Sequence, residues 1–407
     1  DAGYNYAANT HQFANTYTIA PAKLEKGTYR SISGNVATAW GLMAAAEKAN
    51  LPLFCGSYPI TPATVILEEL AKRRDLGVKT VQAEDEIAGI CTAIGAAYAG
   101  NFAVTTTSGP GLSLKSEALG LAVMIELPLV VVDVQRGGPS TGLPTKTEQS
   151  DLVQALYGRN GECPVVVVAA SSPSDCFHYA FEASRIALEH MTPVILLSDG
   201  FIANGSEPWR IPSMADYPAI CPPIVDSVAE GEEFKPYARG ENLARGWAFP
   251  GKAGLQHRIG GLEKDHLRGT ISYEPANHQE MTRTRAAKVA RVADELPTPE
   301  IMGALDADLL VIGWGGTKGH LEAAVKDLQE EGKSIAHLHF NYINPLPHGV
   351  EELLKGHKHL LVCELNEGQF AAYLRQNFQS FTFEQYNKTE GQPFTLVELK
   401  EKFYSLL

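Results

Sequence analysis

The apolar positions of this chain follow two alternating patterns. Short continuous apolar runs at residues 51–55, 80–82, 102–107, 129–134, 165–169 and 194–197 predict strands buried on both faces. Between most of them apolar residues recur at helical spacing, as in the Ala-rich stretch 34–50 and at 63–74. Strands alternating with helices predict a mostly parallel sheet with helices on its faces, an α/β doubly wound domain over residues 34–205. Residues 1–33 lack sustained periodicity and predict an extended arm, or a linker from a module upstream. Residues 206–296 break the pattern with Pro208, Pro212, Pro218, Pro222 and Pro223 and predict an irregular connector, ending in a helix at 281–295 that carries Arg283, Arg285, Lys288 and Arg291. A second, smaller α/β domain over 297–407 has predicted strands at 308–312, 334–340 and 359–364, and predicted helices at 318–331, 350–356 and 369–377.

The 407 residues, 44% hydrophobic and 20% charged, leave room for more than one core and exclude a long disordered chain. A formal net charge of −13 argues against sequence-independent nucleic-acid binding, which needs a positive surface field. The most apolar stretch, 118–134, is interrupted by Glu126, Pro128 and Asp133, so it predicts a buried helix running into a strand and no membrane span. The chain opens at Asp1 without the layout of a secretory signal, which points to sequence upstream of it. Six cysteines without a C-x-x-C pair predict reduced cytoplasmic thiols and no metal ligands on this chain. The histidines show no metal spacing either.

Four loops at predicted strand ends carry candidate chemistry. In Tyr58-Pro59-Ile60-Thr61-Pro62, the Thr61 hydroxyl either caps the following helix or is offered to a carboxylate. Glu84, Asp85 and Glu86 stand between a strand and a helix; they either answer the helix dipole or include one acid with a raised pKa, kept by burial among small residues. Thr105-Thr106-Thr107-Ser108-Gly109-Pro110-Gly111 forms a nest for an anion. The run from Arg136 through Gly137 and Gly138 to Thr145 and Lys146 puts one guanidinium beside glycines and hydroxyls, suited to a carboxylate or equally to a surface turn. A fifth loop, Gly313-Trp314-Gly315-Gly316-Thr317-Lys318, departs from the dinucleotide fingerprint: Lys318 replaces the third glycine and the next strand lacks its acid.

Taken in order, G-N-x-A, Y-P-I-T-P, E-D-E-x-A, T-S-G-P-G, Q-R-G-G-P-S-T-G-L-P-T-K and S-D-G-F resemble the alpha subunit of 2-oxoacid:ferredoxin oxidoreductases, nearest their 2-oxoglutarate branch, over residues 31–407. The resemblance implies a thiamine-diphosphate pyrimidine-binding domain over 34–205 and a transketolase-C-terminal-like domain over 297–407. It implies that Glu84 hydrogen-bonds the aminopyrimidine ring, and that Thr61, Arg136 and Thr145 hold the 2-oxo acid. It also implies an upstream gamma domain in some members. No magnesium and diphosphate signature or iron–sulfur cysteines are seen, so Mg2+, the diphosphate and a four-iron four-sulfur cluster are expected on a beta subunit, with coenzyme A as co-substrate, ferredoxin as partner and a dimer of alpha–beta heterodimers as the assembly. The expected reaction is oxidative decarboxylation of 2-oxoglutarate to succinyl-CoA, or its reverse. Lys115, Lys146 and Arg159 are candidates by charge for a distal carboxylate. Rival readings are the same chemistry on pyruvate or branched-chain 2-oxoacids, a non-catalytic scaffold for a cofactor-bearing subunit, and a nucleotide-binding protein using the Gly315 loop.

Overall fold

The computed structural model describes residues 1–11 and 17–407. A seven-stranded sheet runs, edge to edge, Tyr342–Asn344, Val166–Ala169, Pro193–Asp199, Leu129–Gln135, Phe102–Thr107, Leu53–Ser57, Lys79–Gln82. All neighbours are parallel except the first pair. The inner strands are buried on both faces, which explains their mainly apolar runs. From Leu53–Ser57 the chain moves outward to Lys79–Gln82 and then returns to the other side at Phe102–Thr107. That reversal places a crevice at the carboxyl ends of the middle strands, where doubly wound sheets bind ligands.

The Ala-rich helix Gly34–Ala49 lies against Asp175–His190. At Gly41 a Cβ would stand 2.2 Å from the Phe177 carbonyl oxygen, so the absent side chain is what lets the backbones meet. Residues 29–33, placed by pattern in a linker, form a strand antiparallel to Ser206–Arg210, and Ala2–Thr10 is helical rather than extended, with no buried residue.

The connector has little regular structure, and buried cations fix it in place. Arg245 Nε donates to the carbonyls of Ile125 and Glu126, both at 3.0 Å, and Lys264 Nζ to that of Met124 at 3.0 Å. These carbonyls close the helix Ser116–Ile125, so the cations also meet the negative end of its dipole. Glu126, 1% exposed, accepts from Arg239 at 2.5 and 2.6 Å and from Lys288 at 2.6 Å. Burial pushes its carboxyl up, but Lys288 and Arg239 outweigh burial and hold it well below the usual range. Lys288, by contrast, is drawn down by burial to about 8 against the pull of Glu126. Both groups are thus lowered, which keeps Glu126 charged but works against the charge on Lys288, because Lys288 and Arg239 share one carboxylate: the anion is fully compensated and the lysine only partly so.

The second sheet runs Ile301–Met302, Ile335–Phe340, Leu309–Trp314, His359–Glu364, Glu384–Asn387. It is joined to the first domain in two ways. The strand Tyr342–Asn344 leaves it to pair with Val166–Ala169, and Gln149, 0% exposed, is wedged between the blocks. Its Nε2 donates to the Trp314 carbonyl at 2.7 Å, and its Oε1 accepts from the Leu365 N–H at 3.0 Å. Gln149→Ala strands the buried Leu365 N–H, while the Trp314 carbonyl keeps the Thr317 hydroxyl at 2.8 Å, and should cost about 1–3 kcal/mol. A urea titration of the variant should show the unfolding free energy falling by that amount; an unchanged midpoint contradicts the wedge role. Among the described residues no helix is long and apolar enough to cross a membrane.

Candidate active site

Loops at the carboxyl ends of the strands build one cleft. Asn35, 1% exposed, donates from Nδ2 to the Pro62 carbonyl at 3.0 Å and so anchors the Tyr58–Pro62 turn from the helix Gly34–Ala49. Thr61 does not cap: the helix Thr64–Ala71 begins after Ala63 with no side-chain cap. Its carbonyl instead accepts from Arg136 NH1 at 2.6 Å, while its side chain is exposed. Arg136 follows the strand Leu129–Gln135 and is 6% exposed. Its Nε has no partner. With NH1 held by Thr61, the Nε edge is left to receive an oxyanion, which would satisfy the orphaned donor.

The three acids separate. Asp85 is the N-cap of Glu86–Tyr98, accepting from the Ala88 N–H at 2.7 Å. Glu84, assigned by resemblance to the aminopyrimidine and argued to be poised by burial, is exposed in the loop before the cap. Glu86 is 7% exposed, on the stripe that also buries Ile90, Ala93 and Ala97. The argument from burial therefore passes from Glu84 to Glu86. Glu86 lies over the Ser108–Gly111 turn: at Gly111 a Cβ would stand 2.8 Å from Glu86 Cγ and 2.0 Å from Thr107 Oγ1. On the other side of that turn, a Cβ at Gly109 would stand 2.5 Å from Asp151 Oδ1. The two glycines thus bring the turn between Glu86 and Asp151.

Gly109, Pro110, Arg136, Ser140, Ser150 and Asp151 line a cleft of about 570 Å³. Thr145 is not among its lining residues and is exposed; Thr147, two positions on, is buried and donates to Asp199 Oδ1 at 2.8 Å. The structure brings Thr61 and Arg136 together, while Thr145 and Glu84 are both exposed. Of the charge candidates, Lys115 is 0% exposed and donates to the Glu86 carbonyl at 2.8 Å. Burial lowers it to about 8, with Glu86 opposing. Arg159 donates to the carbonyls of Leu156, Ala155 and Cys163 at 2.6, 2.8 and 3.2 Å. Both are therefore committed inside the fold, and Lys146 alone of the three is exposed. The Gly315 loop is closed to a nucleotide, since Gly315 and Gly316 are buried and a Cβ at Gly316 would stand 2.0 Å from Asp199 Oδ2. Among the described residues no cluster of metal-ligating side chains is assembled.

The doubly wound sheet, its switch-point cleft and the second α/β block define a class. Residues 45–288 match the family described as pyruvate flavodoxin/ferredoxin oxidoreductase, thiamine diphosphate-binding, and the chain belongs to it. It is 55% identical over 405 residues to the 2-oxoglutarate oxidoreductase subunit KorA of Mycobacterium tuberculosis, an alignment covering 98% of this chain and 60% of that protein. The chain thus spans about three fifths of that relative's length. The solved structure of 2-oxoglutarate:ferredoxin oxidoreductase from Magnetococcus marinus, with 2-oxoglutarate, coenzyme A and succinyl-CoA bound, is 34% identical with a TM-score of 0.90, over 100% of this chain and 70% of that one. A split-gene transketolase, 12% identical, shares the fold with a TM-score of 0.54 over 92% of this chain and 98% of its own.

Proposed function

We propose that this chain is the pyrimidine- and substrate-binding part of an enzyme that oxidatively decarboxylates 2-oxoglutarate with coenzyme A to succinyl-CoA and carbon dioxide, reducing ferredoxin, or runs the reverse carboxylation. The observation that carries this reading is the buried Arg136, its Nε unpartnered, on a cleft whose glycine turn has a buried glutamate behind it. Family membership and the substrate names of the relatives support it. Thiamine diphosphate, when bound, supplies the thiazolium carbon that adds to a 2-oxo group. The residues present fit its pyrimidine end: Glu86 is buried on a helix start fixed by the cap at Asp85 and by Lys115 on the Glu86 backbone carbonyl, and its carboxyl would hydrogen-bond a ring nitrogen. Arg136 would hold the substrate carboxylate until it leaves. A beta subunit would hold Mg2+, the diphosphate and a four-iron four-sulfur cluster, in a dimer of alpha–beta heterodimers.

The test is anaerobic coexpression with that subunit and measurement of coenzyme-A-dependent ferredoxin reduction. Faster turnover with 2-oxoglutarate than with pyruvate is expected. Preference for pyruvate or a branched-chain acid would move the substrate assignment, and no 2-oxoacid activity would sink the reading.

A further inference from the structure

A second cavity, of about 470 Å³, shares no lining residue with the cleft around Arg136. Its volume is in the range of small-molecule sites. The helix Ser116–Ile125 gives it Glu117, Leu121 and Met124; the loop after Leu152–Tyr157 gives Glu162; the helix Pro275–Arg291 gives Thr282 and Arg285.

Arg285 is 3% exposed, and its partners are poor. NH2 reaches Glu263 Oε2 and Thr282 Oγ1, both at the long distance of 3.4 Å. The same Glu263 oxygen already accepts from His278 Nδ1 at 2.7 Å. Nε and NH1 find no acceptor among the described residues. Arg245, Lys264 and Lys288, as deeply buried in the same region, each reach an acceptor at 3.0 Å or closer. A buried lysine can shed its proton, but a guanidinium cannot, so the orphaned donors call for an oxyanion.

The charges around the cavity decide which oxyanion. Glu117 and Glu162 are exposed on its wall, and Glu263 pairs loosely with the arginine behind it. One cation among three carboxylates repels a doubly charged phosphate ester, and a bare carboxylate enters against the same acids. A molecule that brings an ammonium with its carboxylate answers both signs. Leu121 and Met124, partly buried, offer an apolar surface to the remainder of it.

We propose that this cavity is a second ligand site that takes a small apolar amino acid, its carboxylate on Arg285, its ammonium toward Glu117 and Glu162, and its side chain against Leu121 and Met124. The site does not draw on the reading of the Arg136 cleft as a 2-oxoacid site, so either can fail without the other.

Calorimetric titration of L-leucine into the complex with its beta subunit tests this. Saturable binding with a Kd of about 1 mM or tighter is expected. Weaker binding, or none, overturns the site and leaves the cavity to water. Isocaproate, which lacks the amine, and isoamylamine, which lacks the carboxylate, should each bind more weakly than leucine; inorganic phosphate binding more tightly than leucine overturns the amino-acid assignment. Arg285→Gln should weaken leucine about ten- to a hundredfold, as for a lost hydrogen bond to a charged group. An unchanged affinity places the leucine elsewhere and overturns the proposal. Should that buried substitution prevent folding, the double variant Glu117→Gln, Glu162→Gln replaces it, since both side chains are exposed. It should weaken leucine about two- to fivefold while isocaproate binds more tightly. Identical affinities for both ligands before and after that change overturn the ammonium contact and the proposal with it.

Discussion

Glutamine at position 86 should lower 2-oxoglutarate-dependent ferredoxin reduction by about two to four orders of magnitude, the range for losing a positioned acid or base. Glutamine at position 84 should leave the rate nearly unchanged. The substitutions are chemically identical, so the contrast isolates environment. Glu86 is 7% exposed, on the buried stripe of its helix and over the Gly109–Gly111 turn. Glu84 lies ahead of the Asp85 cap in an exposed loop. Glutamine keeps the size of the side chain and loses only the titrating oxygen, so folding should survive at both sites. The check is single-turnover reduction of ferredoxin by each variant complex, with thiamine diphosphate affinity measured alongside. Should Glu84→Gln prove inactive and Glu86→Gln active, a partner subunit covers Glu84 and the acid belongs there, as the family resemblance first implied. If both variants keep full activity, catalysis lies off these acids and the scaffold reading gains ground.

The different fates of the two glutamates show what the sequence could and could not reveal. Central strands such as Phe102–Thr107 and His359–Glu364 are readable because burial on both faces demands continuous apolar residues. Tyr342–Asn344 is too short to show a period, yet it joins the second block to the first sheet; Glu384–Asn387 has no apolar run. Glu86 had a signal that was passed over: it is spaced four, seven and eleven residues from Ile90, Ala93 and Ala97, all buried. The bond between Thr61 and Arg136 had none. It uses a backbone carbonyl, and no side-chain pattern encodes which carbonyl a distant arginine will meet. Thr145, assigned to the substrate by the resemblance, is exposed, while Thr147 two positions on is buried against Asp199.

Arg136→Lys should preserve the charge and still raise KM for the 2-oxoacid by about ten- to a hundredfold, the equivalent of about 1.5–3 kcal/mol for hydrogen bonds to a charged group. The guanidinium does two tasks at once: NH1 is fixed on the Thr61 carbonyl at 2.6 Å while the Nε edge stays unpartnered for an oxyanion. Lysine has a single nitrogen and no planar fork, so a shared ammonium must choose between the carbonyl and the ligand. Whichever it chooses, the other contact weakens, and the Tyr58–Pro62 turn loses one of its ties while Asn35 retains the other. If the interaction holds the carboxylate both before and during its departure, as proposed, the loss should appear mainly in KM, with kcat falling less. A variant whose KM is unchanged would show that the carboxylate is held elsewhere, with Lys146, exposed on the same loop, the next residue to replace. A variant with unchanged KM but a large drop in kcat would instead place Arg136 on the reacting bond, acting on charge that develops only as carbon dioxide leaves.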